Sequence, residues 1–173
     1  MDLSFEEHIR KINDWPRTGI MTYDIAPILA DPILYKKLID EIASPYREKD
    51  ISMVLGIESR GFIIAAALAD RIGSGLGLIR KKGKIAPPVL SQEYSYEYAS
   101  QVIEISERDV KSGDRVLLVD DILATGGTMS AAIKLVKKTG AEIIGAVFVI
   151  EMDNMAGRTR LQNTPVHAIV HCD

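Results

Sequence analysis

Residues 115–132 read RVLLVDDILATGGTMSAA, and the order of residue types in this stretch limits what the whole chain can become. Four consecutive apolar residues, Val116 to Val119, suit a strand buried on both faces, the situation of a strand inside a parallel sheet. The run ends abruptly in two adjacent carboxylates, Asp120 and Asp121, followed by Ala124, Thr125, Gly126, Gly127 and Thr128. Met129, Ala132, Ile133 and Val136 then mark one face of a helix that stops at KKTG. A buried strand, a polar turn and an amphipathic helix in this order form half of a strand–helix–strand crossover.

Four further runs behave like strands: ISMVLGI at 51–57, GLGLI at 75–79, IIGAVFVIE at 143–151 and VHAIV at 166–170. The Ala-rich stretch RGFIIAAALADRIG follows the first of them and closes on Gly73, a helix with a glycine stop. Strands alternating with helices at this spacing pair in parallel through right-handed crossovers. The expectation is an open, mostly parallel, twisted α/β sheet with helices on both faces, in one domain over residues 1–173. In such sheets ligands bind beyond the carboxyl ends of the strands, which is where Asp120, Asp121 and the ATGGT stretch fall.

Composition excludes several classes. With 47% hydrophobic and 26% charged residues the chain is an ordinary folded globule, and a formal charge of −3 gives no support for a nucleic-acid or membrane partner. Its one cysteine, Cys172, can form no internal disulfide, which suits a reducing compartment. The N-terminal MDLSFEEHIRKIND is acidic and amphipathic, and no apolar run approaches the ~20 residues of a membrane span. A cytoplasmic protein acting on a small, mobile ligand is expected.

The glycines of ATGGT let backbone amides approach an anion closely, and the helix that begins there has first-turn N–H groups without internal partners. That is a phosphate site. Carboxylates beside it would repel the phosphate unless they grip neutral hydroxyls or reach a metal, so a sugar phosphate with a vicinal diol fits the pair. No G-x-x-x-x-G-K-[ST] or G-x-G-x-x-G is present, which disfavours a P-loop or a dinucleotide fold. After the strand at 51–57, Glu58-Ser59-Arg60-Gly61 makes a turn that can aim amides and the Arg60 guanidinium at the same edge. From Arg80 to Ser100 the chain is polar, basic at its start and broken by prolines, long enough to read as a functional lid. His8, His167 and His171 lack zinc-ligand spacing and read as structural or surface residues.

VLLVDDILATGGT resembles the phosphoribosyl pyrophosphate (PRPP) signature of the type I phosphoribosyltransferases. DIAPIL at 24–29, GIESRGF at 56–62, LIRKKGKIAPP at 78–88 and YSYEY at 94–98 resemble the adenine branch of that family. The resemblance implies the type I phosphoribosyltransferase fold, with a flexible hood at about 80–100 and a homodimer. It also implies a purine-salvage reaction in which PRPP and adenine give AMP and pyrophosphate. By the same resemblance Asp120, Asp121 and residues Ala124, Thr125, Gly126, Gly127 and Thr128 bind PRPP. Ser59 and Arg60 form a pyrophosphate loop with a non-proline cis peptide near Ser59, Lys84 lies near the pyrophosphate, and Arg80 is on the substrate side. Glu97 handles a proton on the purine, with Tyr98 beside it. Mg²⁺ is carried by PRPP, with reach through water to Asp120 and Asp121. Met21 and Thr22 stand on the base side. There the chain departs from the adenine pattern, since Thr22 and Tyr23 replace an aromatic-arginine pair; Ala99 also replaces a glycine. A 6-oxopurine enzyme and a non-catalytic PRPP-binding regulator are the alternatives.

Overall fold

A computed structural model describes residues 4–96 and 99–173. The chain forms two compact units, divided between Glu41 and Ile42. In the first, β1 (Arg10–Ile12) and β2 (Thr22–Asp24) pair antiparallel, with Lys11 opposite Tyr23. Asp24 accepts the Ala26 N–H at 2.9 Å and leads into α1 (Ala26–Ala30). Asp31 then starts α2 (Pro32–Ala43), the helix that carries the chain into the second unit. Its carboxylate takes the Ile33 and Leu34 N–H groups at 2.8 and 3.0 Å, two of the amides that a helix start leaves unpaired. The bonds from Leu34 and Ile33 hold the Asp31 carboxyl below the usual range.

The second unit is the sheet. In chain order it contains β3 (Met53–Ile57), α3 (Arg60–Ile72), β4 (Gly75–Lys81), β5 (Val89–Tyr96) and β6 (Ala99–Ser106). There follow β7 (Arg115–Val119), β8 (Ile122–Leu123), α4 (Gly127–Lys137), β9 (Glu142–Met152) and β10 (Val166–Cys172). The strand order is β10-β9-β7-β3-β4-β6-β5, with β8 pairing to β9. From β10 to β4 every pairing is parallel, and β4-β6 and β6-β5 are antiparallel.

The period-two alternation of strands distributes the core. Leu55, Ile57, Val116 and Leu118 join Met129, Ala132, Ile133 and Val136 of α4 in one buried cluster. Gly56, between Leu55 and Ile57, faces α3, where an added Cβ would lie only 2.8 Å from the Ala65 Cβ. One helix thus covers each face, as a parallel sheet buried on both sides requires. β3 and β7 are neighbours whose following helices leave to opposite faces, so the loops after them flank the crevice where the strand order reverses.

All five strands expected from the apolar runs are present. Within the polar stretch 80–100, β4 runs on to Lys81, and β5 pairs antiparallel with β6 to complete the sheet. Buried Ile103 and Ile105 attach this hairpin to the core that α4 covers. Its sequence hid the strand: Glu104 sits between those two isoleucines and is itself buried, which breaks the apolar run. Among the described residues, no helix is long and apolar enough to cross a membrane.

Candidate active site

The two aspartates after β7 are stitched into the sheet by their backbones. Asp120 donates its N–H to Val147 at 3.0 Å, and the Asp121 carbonyl accepts from both Val149 and Ile150 at 3.0 Å. The Asp121 N–H turns back to Asp120 Oδ1 at 2.9 Å. The buried Asp121 carboxylate forms an ion pair with Arg60 Nε, at the first position of α3. Gly61 makes this approach possible, since an added Cβ there would stand 2.7 Å from the Val119 carbonyl and 3.2 Å from Asp120 Cα. Ser59 precedes Arg60, and the Glu58–Ser59 peptide is cis, as the resemblance implies. Burial, then the Asp121 charge beside it, pushes the Asp120 carboxyl well above the usual carboxylate range, and Arg60 offsets only part of this.

A cavity of about 260 Å³ opens next to these carboxylates, lined by Asp120, residues 122–129 and Phe148. Gly126 caps α4 in the left-handed region at φ +76°, so the loop bends into the helix and presents its first amides to the cavity. The side-chain oxygen of Thr128 lies 3.4 Å from Tyr94 Oη, linking the loop to the β5–β6 hairpin. The amides at a helix start, two threonine hydroxyls and a small cavity together suit a phosphate group.

Arg80 and Lys84 meet at the end of β4, where Arg80 Nη1 donates to the Lys84 carbonyl at 3.1 Å. Arg80 Nε also lies 3.5 Å from Glu58 Oε2, which accepts the Lys81 N–H at 3.0 Å. Glu58 therefore ties the turn after β3 to the end of β4. Glu104 does the same for the next turn, accepting the Gly83 N–H at 2.9 Å. Neither anchor was legible as such, since one carboxylate among many polar residues carries no spacing signal. Glu97 and Tyr98 lie outside the described residues. Met21 and Thr22 belong to the first unit, where Met21 is exposed and Thr22 Oγ1 donates to the Trp15 carbonyl at 2.6 Å.

The raised Asp120 carboxyl has a stability consequence of definite sign. A carboxyl whose folded pKa lies above its unfolded one destabilises the fold when ionised. The effect is full above the folded pKa and vanishes below the unfolded one. Asp120→Asn keeps the oxygen that accepts the Asp121 N–H and removes the charge. Its thermal midpoint at about pH 8 should exceed that of the wild type by about 3 °C or more, with the gap closing as pH falls through the raised pKa. Scanning calorimetry across pH checks this; a gap that is absent or widens on acidification contradicts the assignment.

Residues 27–169 match the model of the phosphoribosyl transferase domain. The chain is 46% identical over 173 residues to an adenine phosphoribosyltransferase of Nitrosomonas eutropha, covering 99% of each, and 41% identical over 172 residues to one of Jannaschia sp., covering 98% of this chain and 96% of that one. Among solved structures it resembles adenine phosphoribosyltransferase from Rhodothermus marinus at a TM-score of 0.92 and 40% identity, covering 96% of both chains. It also resembles the Saccharomyces cerevisiae enzyme, solved with adenine and an imino-altritol bisphosphate, at 0.90 and 35% identity over 95% of this chain and 96% of that one. With the carboxylate pair, the cavity beside it and the switch-point crevice in place, these likenesses make the chain a member of the phosphoribosyl transferase domain family.

Proposed function

We propose that this protein is a pentosyltransferase of purine salvage, moving the 5-phosphoribosyl group of PRPP to adenine with release of pyrophosphate and formation of AMP. One observation carries this reading: the cavity of residues 122–129 lies in a chain 46% identical, from end to end, to a protein named adenine phosphoribosyltransferase. The two units serve as one phosphoribosyltransferase domain in this reading, since the family match runs across the boundary between them.

The family likeness supports a division of labour. The amides and hydroxyls of Ala124, Thr125, Gly126, Gly127 and Thr128 take the 5-phosphate, and Asp120 and Asp121 take the ribose hydroxyls. Ser59, Arg60, Arg80 and Lys84 serve the pyrophosphate, and Met21, Thr22 and Tyr98 the base. Mg²⁺ suits the site, because Asp120 and Asp121 offer hard oxygen donors, and these two carboxylates would hold a PRPP-borne divalent cation through water. When bound, it neutralises charge on the departing pyrophosphate.

A purine nitrogen replaces a pyrophosphate oxygen at ribose C1, so positive charge gathers on the sugar while negative charge builds on the leaving group. Preorganised charge is the main catalytic means available here. Asp120 and Asp121 orient the sugar and favour its cationic character; Arg60 and Lys84 stabilise the leaving oxygens. The Arg60–Asp121 ion pair holds these two functions in fixed relation. Glu97, which the resemblance assigns to the hood, exchanges a proton with the purine. No covalent nucleophile is needed.

PRPP-dependent consumption of adenine, hypoxanthine, guanine and xanthine, each with and without Mg²⁺, tests the reading. Adenine should be preferred and turnover should depend on the metal. Preference for a 6-oxopurine would move the enzyme to the sister branch, in line with Thr22 and Tyr23, and PRPP binding without turnover of any base would make it a regulator.

The role of Glu97 is separable in the same assay. Glu97→Gln keeps size and hydrogen bonding but removes proton exchange, so kcat should fall by ~10²-fold or more while PRPP saturation barely moves. A surviving kcat with a raised KM for the base would instead make Glu97 a binding residue.

We also place the protein in the cytoplasm as a homodimer, by analogy with related enzymes. Sedimentation at micromolar concentration should read about twice the 19.0 kDa of one chain; a monomer would overturn this.

A further inference from the structure

The turn after β9 has no part in the chemistry above, yet it forms the wall behind the phosphate loop. Backbone meets backbone there in both directions. A Cβ on Gly126 would strike the Gly157 carbonyl oxygen and lie 3.1 Å from its carbon. A Cβ on Gly157 would strike the Ala124 carbonyl oxygen and lie 2.9 Å from the Gly126 nitrogen. The loop that cradles the cavity is therefore only as well placed as Gly157. Gly157 opens a short turn, Gly157–Leu161, preceded by Ala156 at φ +49° and closed by the fully buried Leu161.

What fixes this turn to the sheet is Arg158. Its Nε donates to Glu151 Oε1 at 2.9 Å, its Nη2 to Glu151 Oε2, and its Nη1 to the Val166 carbonyl at 3.2 Å. Glu151 is a buried carboxylate near the end of β9, in register with Leu123 of β8 and His171 of β10. Leu123 directly precedes Ala124, so the ion pair is anchored at the level of the loop it backs. His171 lies 4.0 Å from Glu151 and is itself bonded to Asp153 at 2.9 Å, which holds the start of the same segment. A bidentate guanidinium fixes direction as well as distance, which a single ammonium cannot do.

We propose that Arg158, oriented by Glu151, is a positioning residue for substrate binding: it presses the Gly157 backbone against Ala124–Gly126 and so sets the affinity of the loop for the sugar 5-phosphate. The inference rests on the reading of residues 124–128 as that phosphate site. Arg158 touches no substrate; it acts through a contact in which displacements of about 1 Å weaken function by orders of magnitude.

The experiment compares wild type, Arg158→Lys, Arg158→Gln and Glu151→Gln in three readouts: ribose 5-phosphate binding by calorimetry, KM for PRPP against KM for adenine, and the urea midpoint. Positioning predicts that Arg158→Lys raises the ribose 5-phosphate Kd and the PRPP KM by about tenfold or more, with Arg158→Gln worse. The adenine KM should stay within about twofold of the wild type. Glu151→Gln should shift the same two constants, because the fork then lacks its charged partner. If Arg158→Gln does not fold, Arg158→Lys decides. Variants that lose stability but bind ribose 5-phosphate as the wild type does overturn the proposal and leave the phosphate site standing. A wild type that fails to bind ribose 5-phosphate overturns both.

Discussion

A sheet buried on both faces has to end somewhere, and the end of β7 is where this molecule stops being apolar. Val119 is fully buried, and the next residue carries a carboxylate whose ionisation burial disfavours. The structure tolerates the charge by sewing the backbone of Asp120 and Asp121 to β9 and by pairing the Asp121 carboxylate with Arg60. That ion pair joins the first turn of α3 to the end of β7, across the crevice where the strand order reverses. Gly61 and the loop of residues 124–128 are then placed relative to one carboxylate pair, and the rest of the site follows from it.

The turns and the hairpin around this edge of the sheet come from distant parts of the chain, and polar anchors hold them. Glu58 and Glu104 fix the turns around the end of β4, and Lys138 at the end of α4 donates to the Ser91 carbonyl of the hairpin at 2.6 Å. Thr128 and Tyr94 touch at the loop itself. Glu151 and Arg158 fix the wall behind it. Carboxylates in such places are costly to bury and hold position only when their oxygens are taken, which is why each is matched to backbone N–H groups or a guanidinium. The apolar core supplies the rigidity, and the anchors transmit it to loops that have no core of their own.

Catalysis by preorganised charge makes demands on such an arrangement that binding alone does not. In phosphoribosyl transfer, charge in the transition state is spread between the sugar and the leaving group, and in the proposed reading the carboxylates and the cationic side chains keep their separation as the bond breaks. The direct Arg60–Asp121 pairing gives the two sets a common reference. The raised Asp120 carboxyl shows how far burial and the neighbouring Asp121 charge disfavour a second negative charge at this point.

The sequence by itself determined the strands, the two crossover helices and the chemistry of the loop between β7 and α4. Apolar periodicity and glycine placement are local properties, read directly along residues 51–73 and 115–140. It also carried the family, because the carboxylate pair and the glycines must stand in one short, contiguous stretch to do their work. The tertiary structure alone decided the β5–β6 hairpin, whose burial depends on the far side of α4, and the anchoring roles of Glu58, Glu104, Glu151 and Arg158. An ion pair between residues 151 and 158, or a contact between Gly126 and Gly157, has no period and no motif. It exists only because a parallel sheet brings the ends of β7 and β9 side by side, and proximity of that kind is a property of the fold.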